Sequence, residues 1–159
     1  MSKVTIIGTG AVGASICYAM SLKGTASEIV LIDINERKAE GEALDIRQGM
    51  PYSPQNKIYA GTYEDAVGSD VVVITSGVPR KAGMSRLDLA QINVDIMKQI
   101  GPQIVKYAPD AVYILVSNPV DVLTYVFRKI TGLPEERVIG TGTLLDTARL
   151  RTSLAHNYN

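Results

Sequence analysis

The 159-residue chain carries sixteen basic and sixteen acidic residues, so no net field draws it to nucleic acid or to an anionic membrane surface. Its one cysteine, Cys17, excludes an internal disulfide framework, and no apolar run approaches the roughly eighteen residues of a membrane span. One domain over residues 1–159, burying roughly 70% of its unfolded surface, is the expectation, in a reducing cytoplasmic setting with no export leader ahead of Lys3.

Lys3-Val4-Thr5-Ile6-Ile7 reads as a β-branched strand running into Gly8-Thr9-Gly10-Ala11-Val12-Gly13 and then into an apolar helical stretch, Ala14-Ser15-Ile16-Cys17-Tyr18-Ala19-Met20. A G-x-G-x-x-G turn between a strand and a helix is the context for a dinucleotide site. Gly8 permits the tight turn, Gly10 leaves bare backbone for a pyrophosphate, and Gly13 lets the helix lie close to the sheet. The cofactor contacts expected here are therefore Gly8, Gly10, Ala11, Val12 and Gly13, with the phosphates taking up free N–H groups at the positive end of the helix dipole. Cys17, set among Ile16, Tyr18, Ala19 and Met20, reads as a small buried hydrophobe.

A second strand, Glu28-Ile29-Val30-Leu31-Ile32, ends in Asp33, about twenty residues past Gly13, where such a fingerprint places an acid for the ribose hydroxyls. Asp33 has a competing use as the N-cap of a helix that begins at Asn35-Glu36-Arg37-Lys38. A carboxylate at this position also repels the extra phosphate of NADP, which selects NAD.

Further along, Arg37 to Ile46 is a mixed-charge surface helix closed by Gly49 and Pro51. Lys57 to Gly61 is a short strand, and Tyr63 to Val67 is one or two helical turns. Asp70-Val71-Val72-Val73-Ile74 is apolar on consecutive residues and so is buried on both faces. The stretch from Thr75 to Met84, holding Gly77, Pro79, Arg80 and Gly83, has loop composition. Leu87 to Tyr107 is a long helix that Gly101-Pro102 is expected to kink. Ala111 to Val116 is another buried strand that stops at Ser117-Asn118-Pro119; Val120 to Ile130 is a helix ended by Gly132; Val138-Ile139-Gly140 is a sixth strand and Leu144 to Ala155 a last helix. This alternation predicts an α/β fold with a doubly wound, parallel six-stranded sheet in the order 3-2-1-4-5-6. Gly8, Asp33, Gly77, Asn118 and Gly140 then all fall at the carboxyl edge, where such sheets bind ligands.

Three groups on that edge go beyond cofactor binding. Arg80 and Arg86 flank Gly83, and guanidinium groups bind carboxylates in a fork and polarise carbonyls without giving up a proton; the bland reading is two solvated loop cations. Asn118 has an amide able to hold a substrate oxygen and the cofactor ribose, while Asn-Pro is also ordinary turn chemistry. Asp146 and Arg149, three apart on a helix, share a face, either as a weak surface ion pair or as an acid that orients a histidine beside a cation that grips a carboxylate.

Through Thr5 to Gly13, Gly41-Glu42-Ala43-Leu44-Asp45, Pro79 to Arg86, Val116-Ser117-Asn118-Pro119-Val120-Asp121 and Gly140 to Arg149, the chain resembles the NAD-dependent lactate and malate dehydrogenases over its whole length. The resemblance implies a Rossmann-type NAD domain in which Arg86 polarises the substrate carbonyl and Arg149 binds its carboxylate. It further implies that Asp146 orients the catalytic histidine, Asn118 contacts substrate and cofactor, and Arg80 reads the far end of the substrate. Arginine at position 80 is similar to the malate type, whereas lactate dehydrogenases commonly have glutamine there; Ser85 to Leu89 and Gly140 to Thr143 look more like the lactate type.

The family's acid–base histidine belongs to a Gly-Glu-His-Gly-Asp stretch of a following substrate domain, and this chain stops before one. His156 is no substitute, since it lies ten positions past Asp146 on the same helix, about 15 Å along the axis. The expectation is thus the NAD-binding half of an L-2-hydroxy-acid dehydrogenase, lacking turnover in this form, whose partner molecule is a small 2-hydroxy or 2-keto acid. The alternative is a nucleotide-binding module that serves for binding alone. Apolar surface left on the sheet and last helix predicts a homo-oligomer.

Overall fold

The structure, a computed structural model, describes residues 2–50 and 56–158. The strands Lys3–Ile7 (β1), Glu28–Ile32 (β2), Lys57–Ala60 (β3), Val71–Ile74 (β4), Val112–Leu115 (β5) and Val138–Gly140 (β6) form one parallel sheet in the order β3-β2-β1-β4-β5-β6. This is the order expected from the sequence. Parallel pairing sets Ile7 level with Ile32 on one side and with Ile74 on the other. The chain therefore leaves three neighbouring strands at one height, at Gly8, Asp33 and Thr75.

Consecutive apolar residues in β1 and β2 feed two separate cores. On one face Ile6, Ile29 and Leu31 meet Cys17 of α1 (Ala11–Lys23) and Ala39, Ala43 and Ile46 of α2 (Glu36–Gln48). On the other, Ile7, Val30, Ile32, Val72 and Ile74 meet Met97, Ile100 and Ile104 of α3 (Arg86–Tyr107) and Leu123 and Phe127 of α4 (Val120–Thr131). Each fully buried side chain of this size contributes about 1.5–3 kcal/mol relative to exposure. Tyr113 of β5 packs its ring 5.1 Å from that of Phe127 and satisfies its buried hydroxyl by donating to the Ala108 carbonyl at 2.7 Å. Cys17 is fully buried, and that burial pushes its thiol up to about 11.

Several boundaries differ from the sequence reading. The second helix begins at Glu36 because Asn35, not Asp33, is its cap, with Asn35 Oδ1 accepting from the Lys38 N–H at 3.2 Å. Pro51, read as closing that helix, lies outside the described residues. The long helix continues through Pro102 as one element. A 3-10 turn over Glu135–Arg137, not anticipated, leads into β6.

The helical cover is uneven. On the face of α1 and α2, no described helix covers the β4 to β6 side of the sheet to a comparable extent, and there Val71, Ile114 and Val116 are half-buried while Ile139 is 48% exposed. The last helix, α5 (Leu144–Tyr158), runs past the expected Ala155 and buries none of its described residues. It leaves Leu144, Leu145, Leu150 and Leu154 open to solvent.

Candidate functional site

The turn from β1 into α1 is shaped by two glycines that cannot carry a side chain and one that leaves space. Gly8 has φ +98°, and a Cβ there would lie 2.8 Å from the Ser76 nitrogen. At Gly13 a Cβ would overlap the Gly8 carbonyl oxygen, so the helix lies directly on the turn. That same carbonyl accepts from Thr75 Oγ at 2.8 Å, which ties the turn to the end of β4. Around Gly10 nothing stands within 4 Å of where a Cβ would be. Gly10 is also the N-cap of α1, without a side-chain cap and with no acid in the first turn. The first N–H groups of a helix have no partner within it, so those of the exposed Ala11 and Val12 border an open space at the positive end of the dipole, while Gly13 is buried against the turn. This arrangement fits the pyrophosphate of a dinucleotide.

Asp33 is held beside that space by donors from both flanks. Its Oδ2 accepts from the Thr9 N–H at 2.6 Å and the Thr9 hydroxyl at 2.9 Å, and its Oδ1 accepts from the Asn35 N–H at 2.9 Å. Burial alone would raise this carboxyl, but the bonds from Thr9 and Asn35, with the charge of Lys38, outweigh it and hold the group below the ordinary aspartate value. Asp33 is therefore ionised and oriented. A carboxylate offers about four acceptor positions, so three bonds leave room for a sugar hydroxyl. Thr9, fully buried between two glycines, went unread as a site residue.

Across the switch point, the loops that follow β4 and β5 are tied together. Ser117 Oγ donates to the Ser76 carbonyl at 2.6 Å. Gly77 and Asn118 are both exposed, as a ligand contact requires, and the Asn118–Pro119 peptide is cis. Asn93 of α3 reaches both loops from beneath, another residue that the sequence reading missed. Its place on the apolar side of a helix was the available signal.

The remaining candidates sit further out. Arg80 donates from Nε to the Met84 carbonyl at 2.9 Å, closing the loop around Gly83. Arg86 opens α3 in an exposed position, just after the reciprocal cap between Ser85 and Asp88. Asp146 and Arg149 are brought together on α5, with Arg149 Nη1 3.2 Å from Asp146 Oδ1 and both side chains mostly exposed. His156 lies on the same helix, exposed.

Residues 2–140 match the family model described as the lactate/malate dehydrogenase NAD-binding domain. The chain is 50% identical over 157 residues to an L-lactate dehydrogenase of Clostridium botulinum, covering 99% of this chain and 49% of that one. It is also 50% identical over 159 residues to an L-lactate dehydrogenase of Thermoanaerobacter sp., covering 100% and 51%. The crystal structure of a minor L-lactate dehydrogenase from Enterococcus mundtii superposes with a TM-score of 0.94 at 47% identity, over 98% of this chain and 50% of that one. The chain thus spans about half the length of the relatives that it matches. With the bare turn at Gly10, the fixed acid at Asp33 and this correspondence over nearly every residue, the chain belongs to the lactate/malate dehydrogenase family, as its NAD-binding domain.

Proposed function

We propose that this chain holds NAD for an enzyme that moves hydride between the cofactor and C2 of a small L-2-hydroxy acid, lactate or malate. The observation that carries this reading is the open space at Gly10, on an uncapped helix and next to an ionised, immobilised Asp33. Gly10, Ala11 and Val12 face the pyrophosphate on the turn that Gly8 and Gly13 shape, Asp33 holds the adenosine ribose, and Gly77 and Asn118 the nicotinamide side. Bound there, NAD would supply the hydride acceptor and NADH the hydride donor.

Arg86 polarises the carbonyl of the keto acid, Arg149 binds its carboxylate, and Asn118 orients its oxygen. Arg80 bears on the choice between substrates, because its Nη pair, unbonded among the described residues, suits the second carboxylate of oxaloacetate; a charge-assisted bond of this kind contributes roughly 1.5–3 kcal/mol, about ten- to a hundredfold in selectivity. The names of the relatives point the other way, to lactate. Asp146 orients a histidine that residues 1–159 do not supply: His156, the sole histidine of the sequence, is ten residues away on one helix, about 15 Å along its axis. These residues by themselves bind and do not turn over.

No described helix is long and apolar enough to cross a membrane, and the protein works in the cytoplasm as a homo-oligomer. Titration of the purified chain with NADH, with NADPH and S-adenosylmethionine as competitors, tests the reading together with a turnover assay on pyruvate and oxaloacetate. NADH is expected to bind in preference to both competitors, without turnover. Failure to bind NADH defeats the cofactor assignment, and substantial turnover defeats the claim that the proton donor is missing.

A further inference from the structure

Asn93 is a buried polar side chain that neither the phosphate turn nor the substrate groups explain. It is 1% exposed and shares the inner side of α3 with Met97 and Ile100. An amide is costly to bury unless it is bonded, and Asn93 commits its bonds to two separate loops. Its Oδ1 accepts from the Val78 N–H at 2.9 Å. Its Nδ2 donates to the Asn118 carbonyl at 2.7 Å and, more weakly, to the Val78 carbonyl at 3.4 Å. Gly77 comes so near that a Cβ there would stand 3.2 Å from the same Oδ1. Both loops follow strands on the far side of β1 from Asp33. In a doubly wound sheet the two nucleotides of a dinucleotide fall on opposite sides of the switch point, so these loops face the half that does not carry the Asp33 sugar.

We propose that Asn93 is a positioning residue, which fixes Gly77-Val78 and Asn118 relative to one another and so sets recognition of the nicotinamide nucleotide without touching it. Only a side chain that accepts and donates at once serves both loops. Asn93→Asp keeps the acceptor for Val78 and turns a carboxylate oxygen against the Asn118 carbonyl; Asn93→Leu keeps the volume and removes both bonds.

The proposal rests on the NAD cradle at Gly10 and Asp33, and two probes separate their failures: NADH, and ADP-ribose, which lacks only the nicotinamide. In the purified 159-residue chain, Asn93→Asp and Asn93→Leu are expected to weaken NADH about tenfold or more while ADP-ribose shifts by less than about twofold. If the unmodified chain binds neither probe, the cradle fails and this proposal with it. If it binds both, the proposal alone is overturned by a parallel loss of both probes in the variants, by no change in either, or by equal affinity of the unmodified chain for the two. Where the variants do not fold, hydrogen exchange at the Val78 amide of the unmodified chain decides. Slower exchange with NADH than with ADP-ribose is expected, and equal rates overturn the proposal.

Discussion

Gly10 and Gly13 have the same absent side chain and opposite duties. A methyl at Gly13 collides with rigid backbone at the Gly8 carbonyl, so Gly13→Ala should cost about 1–3 kcal/mol or more in urea unfolding. A methyl at Gly10 meets no protein atom within 4 Å, so Gly10→Ala should cost no more than about 1 kcal/mol, the preference of a helix cap for glycine over alanine. The same Gly10→Ala chain should bind NADH about tenfold or more weakly, because the methyl occupies the space left for phosphate. Asp33 carries a pH signature. Its carboxyl in the folded chain lies below the ordinary value, so it adds stability above the unfolded pKa of about 3.9, lost as pH falls through the lower folded value. The stability gap between the natural chain and Asp33→Asn, read from urea midpoints, should be open near neutrality and close in strong acid. A gap independent of pH would show that the carboxylate is not the group responsible. These glycines and this acid were legible because their spacing is local. Thr9 and Asn93 were not, since the partners that give them meaning lie 24 residues away for Thr9 and 15 and 25 for Asn93.

Among the elements, the strands were the easiest to read, because a strand buried on both faces must be apolar at consecutive positions, as Ile6-Ile7 and Ile29 to Ile32 are. Helix ends were harder. Asp33 and Asn35 are equally good caps by composition, and the choice fell to Asn35 because Thr9, brought alongside by the β1–β2 pairing, occupies the aspartate. The start of α3 was placed one residue late for a similar reason: Ser85 and Asp88 bond reciprocally, with Ser85 Oγ 2.6 Å from Asp88 Oδ2 and the Asp88 N–H donating back at 3.1 Å. Ser85→Ala should therefore cost about 1 kcal/mol in thermal or chemical unfolding. No measurable change would mean that this cap does not anchor the helix that presents Arg86.

For the molecule as a whole, the outstanding feature is apolar surface without cover. Ile139 on the sheet and Leu144, Leu145, Leu150 and Leu154 on α5 are all exposed, and apolar surface left without cover favours association. Sedimentation velocity should show a mean mass that climbs with protein concentration, and a monodisperse monomer at high concentration would contradict it. No local pattern marks this surface, since α5 has the ordinary composition of a helix; it was anticipated on the sheet and the last helix from the family resemblance, and α5 buries none of its described residues. The lopsided cover also dictates how the molecule comes apart. The β1–β2 side is clamped between helices front and back, whereas β6 is backed on one side only among the described residues and α5 buries none of its own. Local opening should begin at β6 and α5, where limited proteolysis is expected to make its first cuts, while the strand that delivers Gly8 to its place should be among the last to let go.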